Sequence, residues 1–127
     1  MREILFRGKR LDDGEWVYGD LKQTGIIHKF SIVYKDEDYL HVRVVDPETV
    51  GQFTGLKGMS NRKIFEGDII VNSEYTGVVK YSEEDAMYTV DLNGIKYDFS
   101  WLEAGMCEVI GNIHDNPDLI GGVADAT

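Results

Sequence analysis

One stretch of the sequence decides the fold class: residues 86–101, AMYTVDLNGIKYDFSW. Asn93-Gly94 favours a two-residue type I′ turn, because this dipeptide tolerates the positive φ angles that the turn requires. A hairpin about that turn puts the pairs Leu92–Ile95, Val90–Tyr97, Tyr88–Phe99 and Ala86–Trp101 on one face. The other face carries the pairs Asp91–Lys96, Thr89–Asp98 and Met87–Ser100. Since a slip of one residue would destroy this separation, we predict an antiparallel hairpin in this register.

A second hairpin is predicted nearer the N-terminus, about Asp13-Gly14. Its arms run over Ile4–Leu11 and Glu15–Leu21, with Leu11 opposite Trp16. Phe6 and Leu21 then share the other face of the pair. The chain has 14 Gly and only 2 Pro, a composition that favours many short strands joined by tight turns. We therefore predict an all-β fold of short antiparallel strands and hairpins.

A third hairpin is predicted from Ile26–Tyr34 and Tyr39–Val45, joined by residues 35–38. In its second arm the apolar residues alternate with His41 and Arg43. Such alternation is typical of a strand with one buried face. We expect the apolar set of this arm to face the core, namely Leu40, Val42 and Val44.

Composition and cysteine usage exclude several classes of protein. Hydrophobic residues make up 43% of the 127 residues, enough for a packed core, but their runs are too short for a transmembrane helix. The N-terminus has no apolar stretch of the kind found in signal peptides. The single cysteine, Cys107, has no second cysteine for an internal disulfide, so a reducing, cytoplasmic compartment is expected.

The charge is unevenly distributed along the chain. Residues 1–63 hold 11 Lys+Arg and 10 Asp+Glu, a net charge of +1, whereas residues 64–127 hold 2 and 13, a net charge of −11. The two sums give the −10 of the whole chain. The glycine-containing stretch Gly55–Lys63 is the predicted connection between the halves. We predict an N-terminal β subdomain over 1–57, an acidic subdomain over 58–120 and a flexible tail over 121–127.

The sequence carries no arrangement typical of catalysis or metal binding. The three histidines are far apart, and an approach of His28 to His41 across the third hairpin would supply only two ligands. Cys107 lacks the glycines of a nucleophile elbow and is interpreted as a buried, inert thiol. The paired carboxylates fall in predicted turns, where Asp is common. We therefore predict no enzyme, no cofactor and no catalytic or metal-binding residue.

Cations and aromatic residues gather in the first predicted hairpin. The usual interpretation of such charges is a solvated strand face. An interaction surface is the alternative, either for another protein or for the phosphates and bases of a nucleic acid. Its candidate residues are Arg7, Lys9, Arg10, Trp16 and Tyr18.

Five segments, in this order and spacing, resemble a known family. They are residues 6–10 (FRGKR), 14–19 (GEWVYG), 50–56 (VGQFTGL), 64–70 (IFEGDII) and 109–117 (VIGNIHDNP). Together they look like the YopX family of small phage and prophage proteins, and the resemblance covers nearly the whole chain. One departure is residues 58–63, where the family usually has an Asp-Lys-Asn-Gly turn. These glycine-rich and apolar motifs specify backbone geometry more readily than catalysis.

The resemblance implies an all-β fold whose C-terminal half is similar to a small SH3-like barrel. It also implies a phage or prophage origin and expression in the bacterial cytoplasm, but no established activity. The favoured hypothesis is a non-enzymatic protein-binding or assembly module, with the chain itself among the expected partners as a homo-oligomer. The alternative hypothesis is a nucleic-acid-binding protein that uses the basic N-terminal half. The charge of −10 makes nucleic acid the weaker alternative, and no membrane association is expected.

Overall fold

The computed structural model of the chain describes residues 2–25, 29–73, 75–92, 94–99 and 103–120. These residues form antiparallel strands, joined by turns and by short 3₁₀ segments at Pro47–Thr49, Met59–Asn61 and Ala104–Met106. No helix among them has the length and apolar character needed to cross a membrane. The strands are β1 Phe6–Lys9, β2 Trp16–Thr24, β3 Lys29–Lys35, β4 Leu40–Val45, β5 Gly51–Lys57, β6 Lys63–Phe65, β7 Asp68–Val71, β8 Thr76–Ser82, β9 Met87–Leu92, β10 Ile95–Asp98 and β11 Glu108–Asn112.

The all-β class is confirmed, and the chain divides into two compact units. The first is Met1–Phe53 and the second runs from Thr54 onward. The division falls within β5, just before the boundary that the sequence suggested. With this division the first unit holds 8 Lys+Arg and 10 Asp+Glu, a net charge of −2, and the second holds 5 and 13, a net charge of −8. The basic residues of the predicted connection thus belong to the acidic unit.

The strands of the first unit are ordered β4-β3-β2-β1-β5 in a curled sheet, and β6 follows β5 in the same six-stranded sheet. Its core contains Val17, Ile32 and Val45, which lie on the concave face and exclude water. The curl brings β4 back to the segment after β1, where Arg10 pairs with Val45. Gly8 permits this approach, because a Cβ atom there would lie 2.9 Å from Cγ2 of Val45.

The second unit is a five-stranded sheet with the order β10-β9-β8-β7-β11. In its described residues the sheet is open, with β10 and β11 at its two edges. The closed SH3-like barrel that the family resemblance implied is therefore not formed by these residues. The core of the unit consists of Ile64, Ile70, Val79, Val90, Leu92, Phe99, Cys107 and Val109.

The Asn93-Gly94 hairpin has the predicted register near its turn. Ile95 pairs with Leu92, Lys96 with Asp91, Tyr97 with Val90 and Asp98 with Thr89. The predicted arms were too long. Ala86 lies in the turn between β8 and β9 with a φ of 55°, and β10 ends at Asp98. The predicted partners Ser100 and Trp101 lie outside the described residues.

The Asp13-Gly14 hairpin is formed, but its register differs from the prediction by two residues. Lys9, not Leu11, pairs with Trp16. The loop is longer than expected, because Gly14 N donates to Arg10 O at 3.0 Å and Glu15 N donates to Oδ1 of Asp13 at 2.9 Å. Since an even shift preserves side-chain parity, Leu11 still shares a face with Trp16.

Candidate interaction surfaces

The predicted interaction residues of β1 and β2 are mostly brought together on one face. Arg7 pairs with Tyr18, and Lys9 pairs with Trp16. This is the convex face, because Val17 of the same strand belongs to the core on the other side. Four of the five predicted residues therefore share one surface.

The ring of Trp16 is engaged by the neighbouring cations. Cζ of Arg7 lies 4.7 Å from the ring centroid, and Nζ of Lys9 lies 5.8 Å from it. Both distances permit cation–π attraction, which stabilises the strand pair. Arg7 is 5% exposed, so its charge is largely withdrawn from solvent. Tyr18 is the more accessible aromatic residue, with 46% exposure.

Arg10 is separate from this group. Its Nε and Nη2 atoms donate to both carboxylate oxygens of Asp12, at 2.9 and 2.7 Å, and its Nη1 lies 3.4 Å from Asp13. The hydrogen bond from Arg10 lowers the pKa of the Asp12 carboxyl. The guanidinium charge is thus matched by carboxylates within its own loop, where it closes the turn.

Strand β4 places its side chains opposite to the predicted orientation. Leu40, Val42 and Val44 are 66%, 47% and 40% exposed, whereas Val45 is 1% exposed. The predicted burial of the apolar set is therefore wrong. The physical reason is the register with β3, which pairs the fully buried Ile32 with Arg43. Residues 41, 43 and 45 consequently face the core, and residues 40, 42 and 44 face solvent.

These side chains form a continuous apolar strip on the convex face. Leu11, which is 63% exposed, extends it because Leu11 N donates to Val44 O at 3.2 Å. We call Leu11, Leu40, Val42 and Val44 the β4 patch. Isolated exposed apolar residues are common, but a row of them along a strand at the edge of a sheet is typical of an interaction site.

The turn before β4 holds a compact polar cluster. Nε2 of His41 lies 2.6 Å from Oδ2 of Asp36, and Nη2 of Arg43 lies 3.1 Å from Nδ1 of His41. Because the guanidinium only donates, Nδ1 accepts and Nε2 carries the proton that is donated to Asp36. The imidazole also stacks on Tyr34, with the ring centroids 4.6 Å apart. The cluster fixes the backbone from which the β4 patch projects.

Metal and nucleophile chemistry have little support in the described part of the chain. No group of three or more His, Cys, Asp or Glu side chains there is able to hold a metal ion. The predicted approach of His28 to His41 involves a residue outside that part. Cys107 is 1% exposed, as expected for a buried thiol, and its burial raises the pKa of the thiol. A recess beside Cys107, lined also by Tyr75 and Leu92, is too narrow to admit a water molecule.

The glycine-containing motif at residues 109–117 builds a loop. The Oδ1 atom of Asn112 accepts from the backbone N–H groups of His114 and Asp115, at 3.0 and 2.9 Å. A Cβ atom at Gly111 would lie 2.4 Å from Oδ1 of Asn116, so only glycine fits there without rearrangement. The motif therefore specifies backbone geometry.

The motif at residues 64–70 forms the turn between β6 and β7, two strands that belong to different sheets. Oδ2 of the buried Asp68 accepts from the Phe65 N–H at 2.7 Å, and Gly67 takes the positive φ of 91° in the turn. A buried carboxylate that accepts a backbone N–H fixes the conformation of this turn. This motif is also structural.

The fold and the motifs place the chain in a known class of small all-β proteins. The family model described as YopX protein matches residues 5–121, so the chain belongs to the YopX family. The crystal structure of protein EF1440 from Enterococcus faecalis is similar to it, with a TM-score of 0.59 and 19% sequence identity. The likeness covers 94% of this chain and 99% of that one, and at this identity it shows the fold alone. No curated protein matches the sequence.

Proposed function

We propose that the chain is a non-enzymatic protein-binding or assembly module of a phage or prophage, acting in the cytoplasm of the bacterial host. The observation that carries the proposal is the β4 patch. A strand at the edge of a sheet binds other chains through its backbone and through its alternate side chains. Here the side chains that project to solvent are apolar, so contact with a second polypeptide would remove them from water.

The absence of enzymatic activity is part of the same proposal. The family motifs are used for turns, and the one thiol is buried with a raised pKa. A thiol of this kind is a poor nucleophile, because the thiolate is the reactive form. These features favour a binding role.

Nucleic-acid binding is the second candidate, and one observation favours it. Arg7 and Lys9 meet on one face beside Trp16 and Tyr18. Against it, Arg7 is largely buried and Arg10 is bound to carboxylates of its own loop. The net charge of −2 for the first unit also gives little counterion release on binding phosphates.

Affinity capture from induced bacterial cells tests the first candidate. The bait is the full chain, compared with the double variant Leu40→Lys/Val42→Lys. The matched control is Ile95→Lys, because Ile95 is 57% exposed on the edge strand β10. We expect wild type and control to retain the same protein and the double variant to lose it.

Two results would contradict the proposal. One is retention of the same protein by the double variant. The other is specific binding of single-stranded DNA at low ionic strength that is weakened by Lys9→Ala, which would favour the second candidate instead.

A further inference from the structure

The β4 edge offers backbone groups that point away from the sheet. Val44 O accepts from Leu11 N at 3.2 Å, and Asp46 N donates to Lys9 O at 2.8 Å. Even-numbered residues of β4 therefore direct their N–H and C=O groups away from β3. The direction of the backbone groups alternates along a strand, so the N–H and C=O groups of Leu40 and Val42 also point away from β3. The segment that follows β1 pairs only with the end of β4 and does not reach these two residues.

This edge carries only part of the usual protection against pairing: Arg43 is an inward-pointing charge, and residues 9–11 cover the end of the strand. Natural edges are guarded by Lys, Pro, bulges or inward-pointing charges. Residues 39–45 contain no Lys, no Pro and no carboxylate. The one cationic side chain, Arg43, is half-buried, is bonded to His41 and donates from Nη1 to Val42 O at 3.2 Å, which leaves the second lone pair of that carbonyl for a partner.

We propose that a second copy of this chain occupies the β4 patch, through antiparallel pairing of the two β4 edges with Leu40 of one copy opposite Val42 of the other. The inference rests on the proposed function and names its partner. In a two-fold symmetric dimer every contact occurs twice. Leu40 of the first copy lies opposite Val42 of the second, and Val42 of the first lies opposite Leu40 of the second. Both residues then use their outward backbone groups, and only apolar side chains meet on the convex face.

Charge favours the same strand as the contact between copies. Each chain carries a net charge of −10, so two copies repel each other over most of their surface. Residues 39–45 carry no carboxylate, whereas the adjoining turn holds Asp36, which is bonded to His41 at 2.6 Å, and the exposed Glu37 and Asp38. No carboxylates therefore meet along the strand itself, and the remaining repulsion arises at its two ends, where Glu37, Asp38 and Asp46 lie. Added salt screens the remaining repulsion and strengthens the pairing.

Sedimentation equilibrium of the full chain tests this inference. We expect the mass to rise from one chain to two between about 10 µM and 1 mM, because an interface built on one strand pair is small and transient. The rise should move to lower concentration as the salt increases, opposite to the behaviour of nucleic-acid binding.

Two variants locate the contact. Val42→Pro removes an outward N–H but leaves the β3 ladder intact, because Val42 does not donate to β3. We expect this variant to be monomeric up to about 1 mM, where the wild type is dimeric. If Val42→Pro does not fold, Leu40→Lys takes its place, since it adds a charge to the patch without altering the backbone. Ile95→Lys serves as the matched control on another edge strand and should dimerise as the wild type does.

A wild type that stays monomeric at every concentration and salt would overturn the inference. Dimers that persist in Val42→Pro or Leu40→Lys would also overturn it. A monomeric wild type that still loses a captured protein on Leu40→Lys/Val42→Lys would leave the proposed function standing with a different partner. A wild type that is monomeric and captures no protein would contradict both the inference of a dimer and the proposed function.

Discussion

Strands β4 and β9 have similar alternating sequences, yet the apolar members are exposed in β4 and buried in β9, where Thr89 of the other face is also only 2% exposed. In β9 the apolar Val90 and Leu92 are 0% and 7% exposed. In β4 the apolar Val42 is 47% exposed, while the adjoining odd-numbered residue Arg43 is half-buried. The difference shows that alternation identifies the residues that share a face. It leaves open which face meets the core.

The neighbouring strands decide the orientation in each case. Val90 lies between Val79 on β8 and Tyr97 on β10, so its face is apolar on both sides. In β4 the pairing with β3 aligns Arg43 with the fully buried Ile32. At the end of β4, Val45 fills the space beside Gly8 and fixes the odd-numbered residues inward.

The largest effect is expected from the same substitution in the two strands. Val90→Lys places an ammonium group in the core of the second unit and should cost more than about 4 kcal/mol, enough to prevent folding. Val42→Lys places the same group in solvent and should change the free energy of unfolding by less than about 0.5 kcal/mol. Urea denaturation monitored by circular dichroism measures both.

The comparison would fail in either of two ways. A folded Val90→Lys protein of nearly wild-type stability would mean that β9 does not bury Val90. A Val42→Lys protein that loses several kcal/mol, measured where the wild type is monomeric, would mean that the β4 patch is covered within the chain.

A second, smaller effect is expected at two carboxylates, each of which organises a turn in one of the two units. Asp68 is 2% exposed and accepts from Phe65 N, whereas Asp36 is exposed and accepts from the N–H groups of Asp38 and Tyr39. Asp68→Ala leaves a buried N–H without its acceptor and should cost about 1–3 kcal/mol. Asp36→Ala should cost less, because water replaces the lost acceptor. Urea denaturation of the two variants in parallel gives the difference, and equal losses would contradict it.

The sequence was sufficient wherever local chemistry fixes the structure. The register that Asn93-Gly94 predicts for β9 and β10 is the one in which Ile95 to Asp98 pair, although Asn93 itself lies outside the described residues. Leu11 and Trp16 share a face as predicted, although the predicted register was wrong. The reason is that the register differs by two residues, and an even shift does not change the face of a side chain. The expected backbone role of the family glycines is found at Gly67 and Gly111, which occupy positions that restrict a side chain.

The sequence was insufficient where a contact between distant strands decides. The exposure of the β4 patch was not predicted, because the alternation of apolar residues in β4 was considered without the register of β4 against β3. The sequence did contain a signal for the observed orientation. The large residues Phe30, Ile32 and Tyr34 of β3 alternate with Ser31, which indicates that the even-numbered residues of β3 face the core. The four-residue loop pairs these residues with odd-numbered residues of β4. The hydrogen bonds from Arg10 to Asp12 were not predicted for a different reason: the two residues are close in sequence, but their contact depends on the conformation of the loop.

The smallest effect is expected in the titration of Asp36, at the turn from which β4 begins. The hydrogen bond from His41 lowers the pKa of the Asp36 carboxyl most, and the N–H groups of Tyr39 and Asp38 add to the effect. Since the folded-state pKa lies below the unfolded one, this carboxylate stabilises the fold at pH values above its unfolded pKa. That contribution is lost as the pH falls through the folded pKa. His41→Phe keeps a ring against Tyr34 but removes the largest cause, so the pKa of Asp36 should rise part of the way toward its ordinary value. Carboxyl carbon shifts in an NMR titration report the change, with Asp12 as the control, because its lowered pKa depends on Arg10. An unchanged pKa of Asp36 in this variant would mean that the turn's backbone N–H groups, and not His41, hold the carboxylate in the charged form.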